Sequence, residues 1–158
     1  FINSADYNGR VSQSKSNLRE AELVAQTVAE IQRTYAECHI PFSLAKTIGI
    51  IVPFRAQITA IRAAIADRQL AEAMTIDTVE RYQGSQRDII IFNTVVTRTD
   101  MLDMISTPVI LDDGTEIDRK LNVALTRARE RFILVGHRPT LLRSTLYASL
   151  IRHIEEQS

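Results

Sequence analysis

Three short stretches of this sequence are apolar at every position: Ile48-Gly49-Ile50-Ile51-Val52, Ile89-Ile90-Ile91-Phe92 and Phe132-Ile133-Leu134-Val135. Successive side chains of a strand point to opposite faces, so a strand with one face in water alternates polar and apolar residues. A short run without alternation, rich in β-branched residues, fits a strand buried on both faces of a helix-covered parallel sheet. Met74 to Val79 reads as another strand, and Phe1-Ile2 as the end of a short one. Helical periodicity separates these runs. Leu18, Ala21, Ala25, Val28, Ile31 and Tyr35 recur on one face, with Val24 widening the stripe. Asn17 is a good N-cap and Glu20, three residues on, can close a capping box; Pro41 ends the segment. Ile58, Ile61 and Ile65 mark a second helix, a third is predicted from about Asp118 to Arg131, and Pro139 opens a last helical region. Residues 3 to 16 read as a polar loop. Val109-Ile110-Leu111 and Thr115-Glu116-Ile117, with Asp113-Gly114 between, predict a small hairpin. Strands that alternate with helices imply an α/β fold with a mainly parallel sheet and helices on both faces.

At 158 residues the chain is long enough for one ordinary domain, and no internal linker or repeat divides it. Nineteen basic residues balance nineteen acidic ones, so any surface for a polyanion must be local. The stretch Ile117 to Arg143 is such a place, with seven Lys/Arg against two acids. One cysteine, Cys38, excludes a disulfide framework and a cysteine metal site. The three histidines show no ligand spacing. No apolar run approaches the roughly 20 residues of a membrane span. No signal peptide is visible, and Phe1 begins in mid-pattern as in a piece of a longer chain. These features favour a reducing, intracellular setting.

In a parallel sheet ligands bind beyond the carboxyl ends of the strands. The loops expected there are polar: Pro53-Phe54-Arg55-Ala56-Gln57, Glu80 to Asp88, and Asn93 to Arg98. They carry amide, hydroxyl and guanidinium donors, a pattern suited to phosphate. No nucleophile–base or carboxylate pair stands out, so any catalytic contribution is positioning and charge neutralisation. On the predicted third helix Leu121, Ala124, Leu125 and Ala128 form one apolar stripe. Arg127 flanks it with Lys120 and Arg131, and Arg129 flanks the other side with Asn122. The two arginines are therefore expected to do different jobs, one facing a cleft and the other pinning the helix or touching another surface.

The segment Leu121-Asn122-Val123-Ala124-Leu125-Thr126-Arg127-Ala128-Arg129 resembles motif VI of superfamily 1 helicases. The likeness is closest to the branch of the nonsense-mediated-decay helicase and its DNA-helicase relatives. Ile76-Asp77-Thr78-Val79 through Gln83-Gly84 to Asp88-Ile89-Ile90-Ile91 resembles motif V, and Gly49 to Gln57 resembles motif IV. Asn17 with Glu20 resembles a further signature. The motifs stand in family order across residues 16 to 138.

The resemblance implies a RecA-like domain of the P-loop NTPase type, namely the second, C-terminal motor domain of a larger protein. The sequence has no G-x-x-x-x-G-K-[ST] of its own, and Val109 to Asp113 reads as a hairpin arm rather than an acidic magnesium strand. ATP would sit between this domain and an N-terminal RecA-like domain that holds the phosphate loop and Mg²⁺. By resemblance Arg127 is an arginine finger on the γ-phosphate. Phe54, Gln57, Gln83, Gly84, Gln86 and Arg129 are the other nucleotide candidates, with Phe54 packing on adenine or in the core. Pro53, Thr78, Thr94 and Arg98 are candidates for holding a single strand of DNA or RNA by its backbone, with little sequence preference. No metal ligand is expected here. Two positions depart from the family: Gln86 stands where glutamate is common, and Leu18 follows Asn17 where an arginine is common, with Arg19 displaced by one and Arg55 a candidate replacement. The isolated domain is expected not to hydrolyse ATP. The competing reading is a non-enzymatic nucleic-acid-binding or protein-interaction domain of helicase descent.

Overall fold

The computed structural model of the chain describes residues 1–6, 15–68, 70, 74–82 and 85–157. In chain order they form β1 (Ile2–Asn3), a 3-10 turn (Ser4–Asp6), α1 (Leu18–Glu37), α2 (Leu44–Thr47), β2 (Ile48–Val52), α3 (Arg55–Asp67), β3 (Thr75–Thr78) and β4 (Arg87–Asn93). A 3-10 turn (Thr99–Met101), α4 (Leu102–Ile105), β5 (Pro108–Ile110), β6 (Glu116–Asp118), α5 (Arg119–Thr126), β7 (Ala128–Gly136), α6 (Arg138–Leu141) and α7 (Thr145–Gln157) follow. The apolar runs become the inner strands of a five-stranded parallel sheet in the order β1-β7-β4-β2-β3. The expected α/β architecture, a mainly parallel sheet with helices on both faces, is the one observed.

The absence of alternation in the inner strands has the cause inferred from the sequence. Ile48, Ile50 and Val52 of β2, Ile89 and Ile91 of β4, and Val135 of β7 face a core closed by α1 and α3. Their neighbours Ile51, Ile90, Phe92 and Leu134 face the opposite core, closed by α5 and α7. Ile48, Ile50, Ile51, Ile90 and Ile91 are wholly buried, each worth roughly 1.5–3 kcal/mol over an exposed side chain. The hairpin β5–β6 also forms as expected. Gly114 has φ +83°, its N–H donates to the Leu111 carbonyl at 2.8 Å, and the Asp113 carboxylate accepts from Thr115 N–H at 2.9 Å. Val109 to Asp113 is therefore a turn arm and not a magnesium strand.

One predicted element is corrected. The helix expected to reach Arg131 ends at Thr126, and Ala128 opens β7. Ala128 pairs with Arg87 and Arg131 with Ile89, so hydrogen bonding to β4 overrides the helical propensity of Ala-Arg-Glu-Arg. Arg127 is the C-cap and Arg129 a strand residue. They cannot flank one helical stripe, and Arg131 lies on the other face of the sheet, against Thr27, Ile31 and Tyr35 of α1.

Tyr82, in the loop after β3, was not singled out by the sequence. Its ring is 2% exposed, and among the described residues its hydroxyl has no hydrogen-bond partner. It lies over Gly49 of β2, where a Cβ would stand 1.9 Å from the phenol oxygen and 2.9 Å from Cζ. Glycine is needed here for close approach rather than for an unusual φ. Gly49→Ala is expected to destabilise the domain by about 1–3 kcal/mol through overpacking. Chemical denaturation should also show Tyr82→Phe close to neutral on its own, since the hydroxyl gains nothing in place. Combining it with Gly49→Ala should recover part of the loss.

Candidate functional site

All five strands are parallel, so their carboxyl ends share one edge of the sheet. A cavity of about 410 Å³ opens there, lined by Lys15, Pro53, Phe54, Arg55, Ala56, Thr78 and Glu80. Phe54 is the N-cap residue of α3, with extended backbone, and is half-buried. Lys15 Nζ lies 5.8 Å from its ring centroid, a cation–π distance. The Thr78 carbonyl accepts from the N–H groups of Arg81 and Tyr82 at 3.1 and 2.9 Å, which folds the chain sharply after β3. Pro53 and Thr78 therefore line the same cavity as Phe54.

Helix α5 begins with a strong cap. The Asp118 carboxylate accepts from Lys120 and Leu121 N–H at 2.9 and 3.1 Å and also bonds the Ser106 hydroxyl. A second cavity, of about 460 Å³, lies along α5 and is lined by Val79, Glu80, Thr107, Arg119, Lys120, Val123 and Arg127. Three of these are cations. Lys120 Nζ pairs with Glu80 at 3.4 Å and donates to the Met104 carbonyl at 3.1 Å. Arg127 Nε donates to the Tyr82 carbonyl at 3.3 Å, while the Arg127 carbonyl accepts from Arg87 N–H at 3.0 Å. The guanidinium is thus tied to the loop that buried Tyr82 anchors. Glu80 lines both cavities, so they adjoin there, one holding Phe54 with Lys15 and Arg55 and the other holding Arg119, Lys120 and Arg127.

Other candidates fall into different places. Gln86 Nε2 donates to the Thr126 carbonyl at 3.3 Å, beside Arg127 at the start of β4. Arg129 Nε pairs with Asp88 at 3.0 Å, half-exposed, and does not line the cationic cavity. Strand geometry rather than a helical wheel separates the two arginines. Arg98 is exposed and pairs with Asp100 at 3.3 Å. Gln83 and Gly84 lie outside the described residues. Lys120, Arg119 and Glu80 are not among the site candidates of the sequence; its signals for them are the basic stretch from Ile117 to Arg143, the polar loop that Glu80 opens and the flank that Lys120 shares with Arg127.

Two candidates are corrected by burial. Gln57 is 0% exposed. Its Oε1 accepts from Asn17 N–H at 2.7 Å, and its Nε2 donates to the Asn17 carbonyl at 2.9 Å and to Asn93 Oδ1 at 2.8 Å. With its amide committed on both sides and no exposed surface, it clamps α1 to the sheet and offers nothing to a nucleotide. Thr94 is also 0% exposed, and its hydroxyl donates to the Val135 carbonyl at 3.3 Å, so it has no surface for a strand. The Asn17–Glu20 pair is more than a cap. Asn17 Oδ1 accepts from Glu20 N–H at 3.1 Å, but Glu20 does not reach back to the Asn17 N–H, which Gln57 takes. Instead Glu20 Oε2 accepts from Asn17 Nδ2 at 3.1 Å and from Asn93 Nδ2 at 3.2 Å, wholly buried. Burial pushes the Glu20 carboxyl up to about 8, with Asn93, Ser4, the Val95 backbone amide and Arg19 acting the other way.

Among the described residues no three His, Cys, Asp or Glu side chains stand close enough to hold a metal ion, and no helix is long and apolar enough to cross a membrane. The two cavities present an aromatic ring, several cations and the single carboxylate of Glu80. A family model described as "AAA domain" matches residues 1–139. Over 152 residues the chain is 31% identical to the DNA replication ATP-dependent helicase/nuclease JHS1 of Arabidopsis thaliana, covering 96% of this chain and 10% of that protein. It is 33% identical over 150 residues to the putative helicase mov-10-B.1 of Danio rerio, covering 88% and 14%. It is 30% identical over 142 residues to the helicase sen1 of Schizosaccharomyces pombe, covering 87% and 8%. The chain thus spans about a tenth of the length of these curated relatives.

Glu20 makes the stability of this edge depend on pH. Its folded pKa, about 8, lies above the ordinary value of 4.5, so between them the folded protein holds a proton that the unfolded chain releases. Its contribution is fully present below pH 4.5 and is lost as pH rises through about 8. Glu20→Gln keeps the shape and stays neutral. In urea titrations, the stability of the wild type relative to Glu20→Gln should fall steadily over that window and level off above it. A difference that is flat with pH would show that Glu20 is charged in the fold.

Proposed function

The chain belongs to the AAA-domain family and is a RecA-like domain of the superfamily 1 helicases, and on that footing we propose that it is the second, C-terminal motor domain of an ATP-dependent helicase or translocase. The observation that supports this reading best is the pair of adjoining cavities that hold Phe54 and Arg127. An aromatic ring suits a nucleobase, because it offers a flat apolar surface to stack on. Arg119, Lys120 and Arg127 suit the triphosphate, and they line one cavity that Glu80 joins to the aromatic one. The sequence has no phosphate loop of its own, and by the family resemblance an N-terminal RecA-like domain would supply the loop and hold Mg²⁺.

In this reading the face closes on ATP held by the other domain. Arg127 moves onto the γ-phosphate and neutralises the charge that develops there as the phosphoryl group transfers to water. Arg129, paired with Asp88, pins the start of β7 beside the finger. Gln86 holds the end of α5 through the Thr126 carbonyl, and Gln83 and Gly84 remain nucleotide candidates by resemblance alone. Closing and opening of the cleft moves a single strand of DNA or RNA along the carboxyl edge, where Pro53, Thr78 and Arg98 contact its backbone. The domain alone then binds no ATP productively and does not turn it over.

In the two-domain protein, Arg127→Ala should lower kcat for ATP by roughly 10³–10⁵-fold, the usual worth of such a finger, with a much smaller change in nucleotide affinity. Arg127→Lys should not restore it, since an ammonium lacks the planar fork. Unchanged turnover in Arg127→Ala would remove the finger role. Phe54→Ala should instead raise the KM for ATP roughly tenfold at nearly constant kcat, and Phe54→Tyr should behave as wild type.

A further inference from the structure

The chain leaves β4 through a strained turn. Val95 has φ +70°, a left-handed conformation that a β-branched residue rarely adopts. Val96 N–H donates to the Thr94 carbonyl at 2.8 Å and closes a three-residue turn around it. Thr94 is anchored to β7 by its N–H and hydroxyl, at 3.0 and 3.3 Å from the Val135 carbonyl. The Val95 carbonyl accepts from Asn17 Nδ2 at 3.1 Å. Phe92 pairs with Ile51, so Asn93 and Thr94 run level with Val52 and Pro53, and the turn launches Val96-Thr97-Arg98 at the carboxyl edge beside Pro53. Val96 is buried, Thr97 half-buried and Arg98 exposed, so the direction set at Val95 decides where the exposed residues lie.

Asn17 does more than a helix cap requires. A cap needs one acceptor oxygen, and Ser, Asp and Asn provide it about equally. Asn17 spends its oxygen on Glu20 N–H, its backbone is gripped on both sides by Gln57, and its amide nitrogen donates both to Glu20 Oε2 within the helix and to the Val95 carbonyl beyond it, each at 3.1 Å. Of the strong cap residues asparagine is the one whose donor and acceptor are separate atoms of a planar amide, so the oxygen can cap the helix while the nitrogen reaches a second group. We propose that Asn17 is a positioning residue for the nucleic-acid track, holding the Thr94–Val96 turn by its carbonyl so that Thr97 and Arg98 are presented to a strand backbone. The inference rests on the reading of the carboxyl edge as that track, and it moves the contact from the buried Thr94 hydroxyl to the segment beyond it.

The test uses the two-domain protein and 5′-labelled single-stranded DNA and RNA of mixed sequence, titrated separately by fluorescence anisotropy. Asn17→Ser keeps a cap acceptor and removes the amide nitrogen that bonds both Val95 and Glu20; only loss of the Val95 bond is open to rescue at Val95. The variant should weaken binding of the preferred strand roughly tenfold, as expected for a lost buried hydrogen bond on a strained turn. The thermal midpoint should stay within a few degrees. Adding Val95→Gly should restore most of the affinity, because glycine takes the left-handed conformation unaided. Rescue by a change that adds no contact separates positioning from general loss of structure. Wild-type affinity in Asn17→Ser, or an affinity loss that Val95→Gly leaves uncorrected, overturns the inference alone. A wild-type protein that binds neither strand overturns the track reading and the inference with it.

Discussion

Strand β4 is hydrogen-bonded along both edges, to β2 on one side and β7 on the other, and that double pairing sets where the rest of the domain can go. Pairing with β2 brings Asn93 level with Val52, so the loops after both strands emerge side by side. Pairing with β7 begins at Arg87 and Ala128, so α5 must stop at Thr126 and turn through Arg127. A residue at that turn is held by strand hydrogen bonds on its carbonyl side and by the Tyr82 carbonyl at its guanidinium. The Arg127 backbone is therefore fixed by the sheet rather than carried on a free helix, while its guanidinium rests on the Tyr82 carbonyl and must leave it to act as the proposed finger. A fixed backbone limits the reorganisation that this role would cost.

The same central strand explains why a polar cluster survives in the core. Glu20, Asn17, Gln57 and Asn93 are buried where α1, α3 and the end of β4 meet, and each holds another's polar groups. An unpaired polar group there would cost about 1–3 kcal/mol, so the cluster is tolerable only as a connected set. Its geometry ties the start of α1 and the start of α3 to the strained turn at Val95. Core and proposed track meet at that point, because the helix that closes one core also bonds the turn at the carboxyl edge.

Much of this was legible in the residues. The unalternating runs at 48–52, 89–92 and 132–135 announced strands buried on both faces, and Asp113-Gly114 announced the hairpin. The order of the motif-like segments announced the family. The α5–β7 boundary was not legible, because Ala128 to Arg131 are good helix formers and their strand state depends on partners some forty residues away in β4. Burial at single positions was also hidden. Gln57 and Thr94 look like ligands in loops of polar residues, and only packing shows that Asn17 and Val135 have already taken their donors. Tyr82 over Gly49 is a contact across two strands that no local pattern encodes. Lys120 was half visible, sharing a flank with Arg127, whereas its pairing with Glu80 needed the fold.

The central claim is that Arg127 acts across a cleft on a nucleotide held by another domain. The most direct test is the structure of the two-domain protein with ADP, Mg²⁺ and aluminium fluoride, which imitates the transferring phosphoryl group. The account predicts that the Arg127 guanidinium lies within hydrogen-bond distance, about 3 Å, of the fluoride, with Phe54 against the adenine. A closed complex in which Arg127 stays on the Tyr82 carbonyl, and another cation covers the fluoride, would contradict it.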